Sequence, residues 1–162
     1  MNNIKRIFIA VAIVIILVAV GVYLYSNSQN GLSQPQAGEF SRDIKGYPLA
    51  KTSEVVVLKN GDSYNLIASI VKKNINGSEV KMLAYNGSIP GPVIKVPQGA
   101  EITLIFKNDT DVDSTIHSHG VRAENKFDGV PDVTQKAVKP GESFTYKLKF
   151  PDAGVFWYHP HI

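Results

Sequence analysis

Ala100-Glu-Ile-Thr-Leu-Ile-Phe-Lys-Asn108 sets Ile102, Leu104 and Phe106 against Glu101, Thr103 and Lys107 in strict alternation. Successive side chains of a strand point to opposite faces, so this period of two predicts a strand with one buried and one wet face. Downstream, Phe144, Tyr146, Leu148 and Phe150 alternate with Thr145, Lys147 and Lys149 in the same way. Upstream, Val55 to Leu58, Tyr64 to Val71 and Lys81 to Tyr85 read as further short strands. Asn60-Gly61 and Asn76-Gly77 separate them, and Asn-Gly is a strong hairpin signal because both residues accept positive φ. No helical period follows residue 25. Short β segments with Gly and Pro turns predict an all-β class, and about 115 residues suffice for one sandwich.

Two further segments of this β region carry all four histidines of the chain. They form two His-x-His pairs, His117-Ser118-His119 and His159-Pro160-His161. Residues two apart on a strand share a face with Cα atoms roughly 6.5–7 Å apart, so each pair presents two imidazoles toward one ion or two adjacent ions. The first lies in Thr115 to Val121. The second ends Val155-Phe-Trp-Tyr-His-Pro-His161, in which Val155, Trp157, His159 and His161 share a face. Pro160 has no N–H for a ladder, which places this strand at an edge or leaving its sheet. Imidazole suits copper, zinc, iron or nickel, and four imidazoles without a thiol favour copper or zinc. Histidines that hold no metal are the plain alternative, made improbable by the complete pairing.

The N-terminus has a different character. Ile7 to Tyr25 is uncharged and almost wholly apolar, long enough at about 1.5 Å per residue to cross a hydrocarbon core. Lys5 and Arg6 precede it and no charge follows until Glu39, which puts Met1 on the cytoplasmic side and the remainder outside. We read residues 1–25 as a single-pass transmembrane anchor in the cell membrane. A signal whose cleavage leaves a secreted or periplasmic protein is the alternative; the apolar run exceeds the usual signal core and no clear Ala-x-Ala site follows. Residues 26–46 begin with an uncharged Ser, Asn, Gln and Gly stretch, a flexible linker, and residues 47–162 form the domain.

Of the formal charge of +3, Lys5 and Arg6 account for two, which leaves +1 for the rest and gives no support to nucleic-acid binding. The chain has no cysteine, so no disulfide helps the domain, and a blue copper centre, which needs a thiolate, cannot be built from it. There is no internal repeat, phosphate-binding glycine loop or Ser-His-Asp arrangement.

Five segments together resemble the first cupredoxin domain of multicopper oxidases, in order and spacing. They are Asn86-Gly-Ser-Ile-Pro-Gly-Pro-Val-Ile-Lys-Val-Pro-Gln-Gly99, His117-Ser-His-Gly120, Asp128-Gly-Val-Pro-Asp-Val-Thr-Gln135, Pro140-Gly-Glu-Ser-Phe-Thr-Tyr146 and Gly154-Val-Phe-Trp-Tyr-His-Pro-His161. The resemblance covers roughly Tyr47 to Ile162 and implies a cupredoxin-like Greek-key β-sandwich. It further implies that the domain supplies half the ligands of a trinuclear copper cluster where dioxygen is reduced to water. His117 would serve the type 2 copper, and His119, His159 and His161 the type 3 pair. Asp128 would stand near the cluster and help deliver protons, although Asp-Gly is also an ordinary turn pair. Gln135 reads as structural, Trp157 and Tyr158 as core packing beside the ligands, and Met82 as core.

The chain departs from the family pattern in two ways. The cysteine and the second histidine set are absent, so the chain alone is not expected to be an active oxidase. It also stops where family members continue into a Gly-rich segment and a closing strand, so the sandwich is expected to be C-terminally incomplete. A missing C-terminal cupredoxin domain or another subunit would then complete the site. A stand-alone copper- or zinc-binding protein without redox turnover and an inactive truncated product are the other readings. A copper nitrite reductase fits less well, since its comparable strand end carries a Cys where Pro160 stands.

Overall fold

The computed structural model describes residues 13–25 and 43–161. The chain divides into two compact units, Met1–Ser41 and Arg42–Ile162. In the first, residues 13–25 are helical. Among the described residues no helix is long and apolar enough to cross a membrane. The expected span from Ile7 begins outside the described residues, and most of the expected linker 26–46 lies outside them too.

The second unit is built of strands, as the alternation predicts. These are β1 (Val55–Val57), β2 (Ser63–Ile75), β3 (Ser78–Tyr85), β4 (Val93–Lys95), β5 (Glu101–Asp109), β6 (Thr115–His119), β7 (Ser143–Lys149) and β8 (Trp157–His161), with a 3-10 turn at Asn125–Phe127. Four strands form one sheet in the order β3-β2-β5-β7, while β1 pairs with β4 and β6 with β8. The β2–β5 and β1–β4 pairings are parallel and the others antiparallel.

Register aligns the apolar sets. Leu104 of β5 stands opposite Tyr64 of β2 and Tyr146 of β7, and Phe106 stands opposite Leu66 and Phe144. Ile102, Leu104, Phe106, Leu66, Tyr146 and Leu148 are buried, and Ile116, Val56, Ile94 and Tyr158 of the smaller sheets pack against them. Full burial of each large apolar side chain contributes roughly 1.5–3 kcal/mol, which makes this cluster the main source of stability in a domain without disulfides.

The two Asn-Gly signals divide. Asn76 and Gly77 take φ of 50° and 86° and join β2 to β3, the hairpin expected, since a two-residue turn of this hand needs positive φ at both positions. Asn60-Gly61 is a turn but not a hairpin, because β1 and β2 belong to different sheets. It docks on the start of β5 instead: Asn60 Oδ1 accepts the Glu101 N–H at 2.8 Å and the Gly61 N–H donates to the Glu101 carbonyl at 2.8 Å. β4 and the pairing of residues 49–51 escaped the sequence reading. Where β5 stops pairing with β2 at Ser69, the N-terminal segment takes over, with the Ala50 N–H donating to Lys72 O at 2.8 Å.

Asn108 occupies the inward phase of β5 one step beyond Phe106 and is completely buried. Its amide donates to Val112 O and Val138 O, both at 2.8 Å, and its Oδ1 accepts from Thr110 Oγ1 at 2.6 Å. A buried amide with its partners in place fixes the loop that delivers β6, and β6 carries the first histidine pair.

Three tyrosines give the core a pH dependence. Burial raises the phenols of Tyr85 and Tyr158 well above their ordinary value and pushes Tyr146 up to about 12. Below pH of about 10 both folded and unfolded chains keep these protons; above it the unfolded chain releases them first, so stability falls as pH rises toward 12. A urea midpoint clearly lower at pH 11 than at pH 9 is expected, and an unchanged midpoint would contradict this.

Candidate metal centre

The β6–β8 ladder sets His117 directly opposite His159, Thr115 opposite His161 and His119 opposite Trp157. Alternation turns Ile116, Ser118 and Tyr158 toward the core and leaves the histidines on the other face. The His117 ring lies 5.5 Å from His119, 5.3 Å from His159 and 6.1 Å from His161, centroid to centroid, and His159 lies 6.2 Å from His161. All four rings are gathered in one place. One nitrogen from each of His117, His119 and His159 lies within 4.8 Å of the others. His119 is exposed and the other three are half-buried, so the group opens toward solvent. Pro160 opposes Ile116 on a strand that, among the described residues, pairs only with β6, the edge position its missing N–H requires.

Backbone carbonyls set the orientation of two imidazoles. His117 Nδ1 is 2.6 Å from Asp128 O, and His159 Nδ1 is 2.8 Å from Pro160 O. A carbonyl only accepts, so each Nδ1 carries the hydrogen and each Nε2 keeps its lone pair for a metal. His161 Nδ1 is buried without a hydrogen-bond partner. A buried polar atom left in this state is costly in a core and ordinary in a ligand set. Three convergent imidazoles, two with Nε2 freed and a fourth ring with an orphan nitrogen, fit a metal site of the imidazole-binding type.

The segment around Gly129 holds β6 from outside. Gly129 has φ +81°, and a Cβ there would stand 1.9 Å from Ile116 O and 3.0 Å from His117 N. The Thr115 hydroxyl lies between two carbonyls, hydrogen-bonded to Gly129 O and 2.9 Å from His161 O, which ties this segment to β8. From the core side the Tyr146 hydroxyl accepts the Ile116 N–H at 3.0 Å. Thr115 and Tyr146 were not recognisable as site residues in sequence, although Tyr146 sits at an inward strand position where a hydroxyl needs a partner.

Residues 68–162 match the multicopper oxidase family model. The chain belongs to the multicopper oxidase family. It is 35% identical over 101 residues to copper resistance protein A of Escherichia coli, covering 62% of this chain and 17% of that protein. It is 40% identical over 88 residues to multicopper oxidase MCE of Talaromyces pinophilus, covering 53% of this chain and 15% of that protein. Among solved structures, a multi-copper oxidase from Pseudomonas thermotolerans superposes with a TM-score of 0.60 at 40% identity, over 65% of this chain and 25% of its own. A blue copper oxidase from Nitrosomonas europaea gives 0.60 at 36% identity, over 65% and 33%. The chain thus spans about a sixth of the length of the curated relatives. These likenesses bear out the cupredoxin-like fold. Copper is the metal of this family, and the histidine cluster is consistent with a copper site.

In this multicopper oxidase domain, the Pro-Gly loop has a visible structural task. Tyr158 of β8 donates its hydroxyl hydrogen to Pro92 O at 2.8 Å, and Gly91 permits the approach, since a Cβ there would stand 2.7 Å from that hydroxyl oxygen. Tyr158 therefore packs inward as expected, and Met82 is half-buried on β3. Gln135 makes backbone contacts in its own loop, its carbonyl accepting the Asp132 N–H at 2.8 Å. Trp157 corrects the expectation of core packing. It lies on the histidine face of β8, 57% exposed, and stacks on His119 and His159. The Asp128 carboxylate is 3.6 Å from His117 Nδ1 and partly exposed.

Proposed function

We propose that this chain is the copper-binding N-terminal part of an exported multicopper oxidase. His117, His119, His159 and His161 supply half the ligands of a trinuclear copper cluster that reduces dioxygen to water. The observation that supports this most is the gathering of all four imidazoles, from two adjacent strands, on a face open to solvent. Copper bound there supplies the electron-transfer chemistry of dioxygen reduction. His117 serves the type 2 position and His119, His159 and His161 the type 3 pair. Asp128 has two parts: its carbonyl fixes the His117 ring, and its carboxylate, close to that ring, stands where it can relay protons to the site. A complementary cupredoxin surface, from a longer protein or another subunit, meets the open face and brings the remaining ligands. Residues 47–162 form the exported domain, and residues 1–25 direct or tether it through the membrane.

With no cysteine in the chain, electrons from a reducing substrate have no thiolate copper through which to enter. Copper-loaded chain is expected to show no intense visible thiolate band and no sustained dioxygen consumption with phenols or Cu(I). Oxygen uptake over many turnovers by the purified chain would contradict the half-site reading.

A further inference from the structure

We infer that Trp157 is a positioning residue for the metal-binding imidazoles, its indole acting as a plate that holds His119 and His159 in the orientation a copper ion needs. This rests on the reading of those histidines as copper ligands. The indole ring lies 4.8 Å from His119 at 23° and 4.4 Å from His159 at 28°, a stacked arrangement with both, while the two imidazoles are 6.0 Å apart at 42°. One aromatic face thus spans rings that come from two strands.

His119 makes this contact necessary. The ring of His117 is oriented by Asp128 O and that of His159 by Pro160 O. His119 is exposed, and among the described residues neither of its ring nitrogens has a hydrogen-bond partner. Metal-binding histidines are ordinarily fixed through the nitrogen that does not bind the ion. For His119 the stack on Trp157, with the edge contact to His117 at 5.5 Å, takes that part. The interaction strengthens when metal binds, because an imidazole on a cation becomes more positive and the indole face is negative. Within this domain packing demand does not account for the position, since Trp157 is 57% exposed and outside the buried core.

The test uses the full chain in detergent with Cu(II) as the probe and affinity measured by competition with a chelator. Trp157→Ala is expected to weaken binding roughly tenfold, Trp157→Phe to recover most of the loss, and Trp157→Leu to behave like Ala, because a flat π face and not apolar cover is required. Thermal unfolding of the metal-free variants should stay close to wild type, as for other exposed positions. Trp157 is also the sole tryptophan of the chain, so its fluorescence reports the site directly. Cu(II) should quench it in step with the chelator competition. Wild-type affinity in Trp157→Ala overturns the inference, as does equal rescue by Leu and Phe. Should the alanine variant fail to fold, unquenched emission from wild-type chain that demonstrably holds Cu(II) overturns it instead. Absence of Cu(II) binding by wild type is a separate outcome that removes the copper reading itself.

Discussion

Replacing His119 and His159 together with alanine is expected to abolish Cu(II) binding, a fall in affinity on the order of a thousandfold or more. These two and His117 are the three imidazoles whose nitrogens converge within 4.8 Å, so the double substitution leaves His117 and His161 with no third donor in that group. Each single substitution should give an intermediate loss, and the two losses should not add, since both residues serve one site. The fold should survive, because His119 is exposed and His159 half-buried on the face away from the core. In the intact chain copper should outcompete zinc, following the general order of divalent affinities at nitrogen sites. Chelator competition checks all of this, and undiminished copper affinity in the double variant would refute the site.

Gly129→Ala should be the most damaging single methyl in the domain. A Cβ at this position would sit 1.9 Å from Ile116 O, against backbone of a paired strand that cannot rotate away. The φ of +81° adds strain for any L side chain. Relief requires the Asp128–Val130 segment to lift from β6, which breaks the contacts of Asp128 O with His117 and of Gly129 O with Thr115. Loss of about 3 kcal/mol or more is expected, with a fall in Tm of roughly 10 °C and weakened copper binding from the same displacement. Gly61→Ala, at a similar φ of +87° but with nothing near its Cβ, separates strain from collision and should cost only about 1 kcal/mol. Equal effects of the two substitutions would show that the close approach at Gly129 is unimportant.

The contrast between these glycines also marks what sequence reasoning reaches. Ile102, Leu104 and Phe106 announce β5 because burial of one face imposes a period of two, and all three are in the core. The histidine pairs are legible for the same reason: alternate residues share a face. Pairing partners are less legible. Asn60-Gly61 carries the same local turn preference as Asn76-Gly77, yet β1 pairs with β4, because which strand lies alongside depends on the whole sandwich and not on the dipeptide. Gly129 meets Ile116 across a loop, and Thr115 reaches His161 across 46 residues, so neither contact leaves a local trace. Trp157 was misplaced because an aromatic beside a strand is usually core; its alternation with His159 already put it on the histidine face.

The proposed function requires the four histidines to form an open set of copper ligands that further donors complete. Anomalous diffraction at the copper edge from crystals of the Cu(II)-loaded chain tests it most directly. Copper is expected bound by nitrogens of His117, His119, His159 or His161, with coordination positions filled by solvent on the exposed side. Copper located elsewhere, or one ion closed off by all four imidazoles with no solvent ligand, would contradict it.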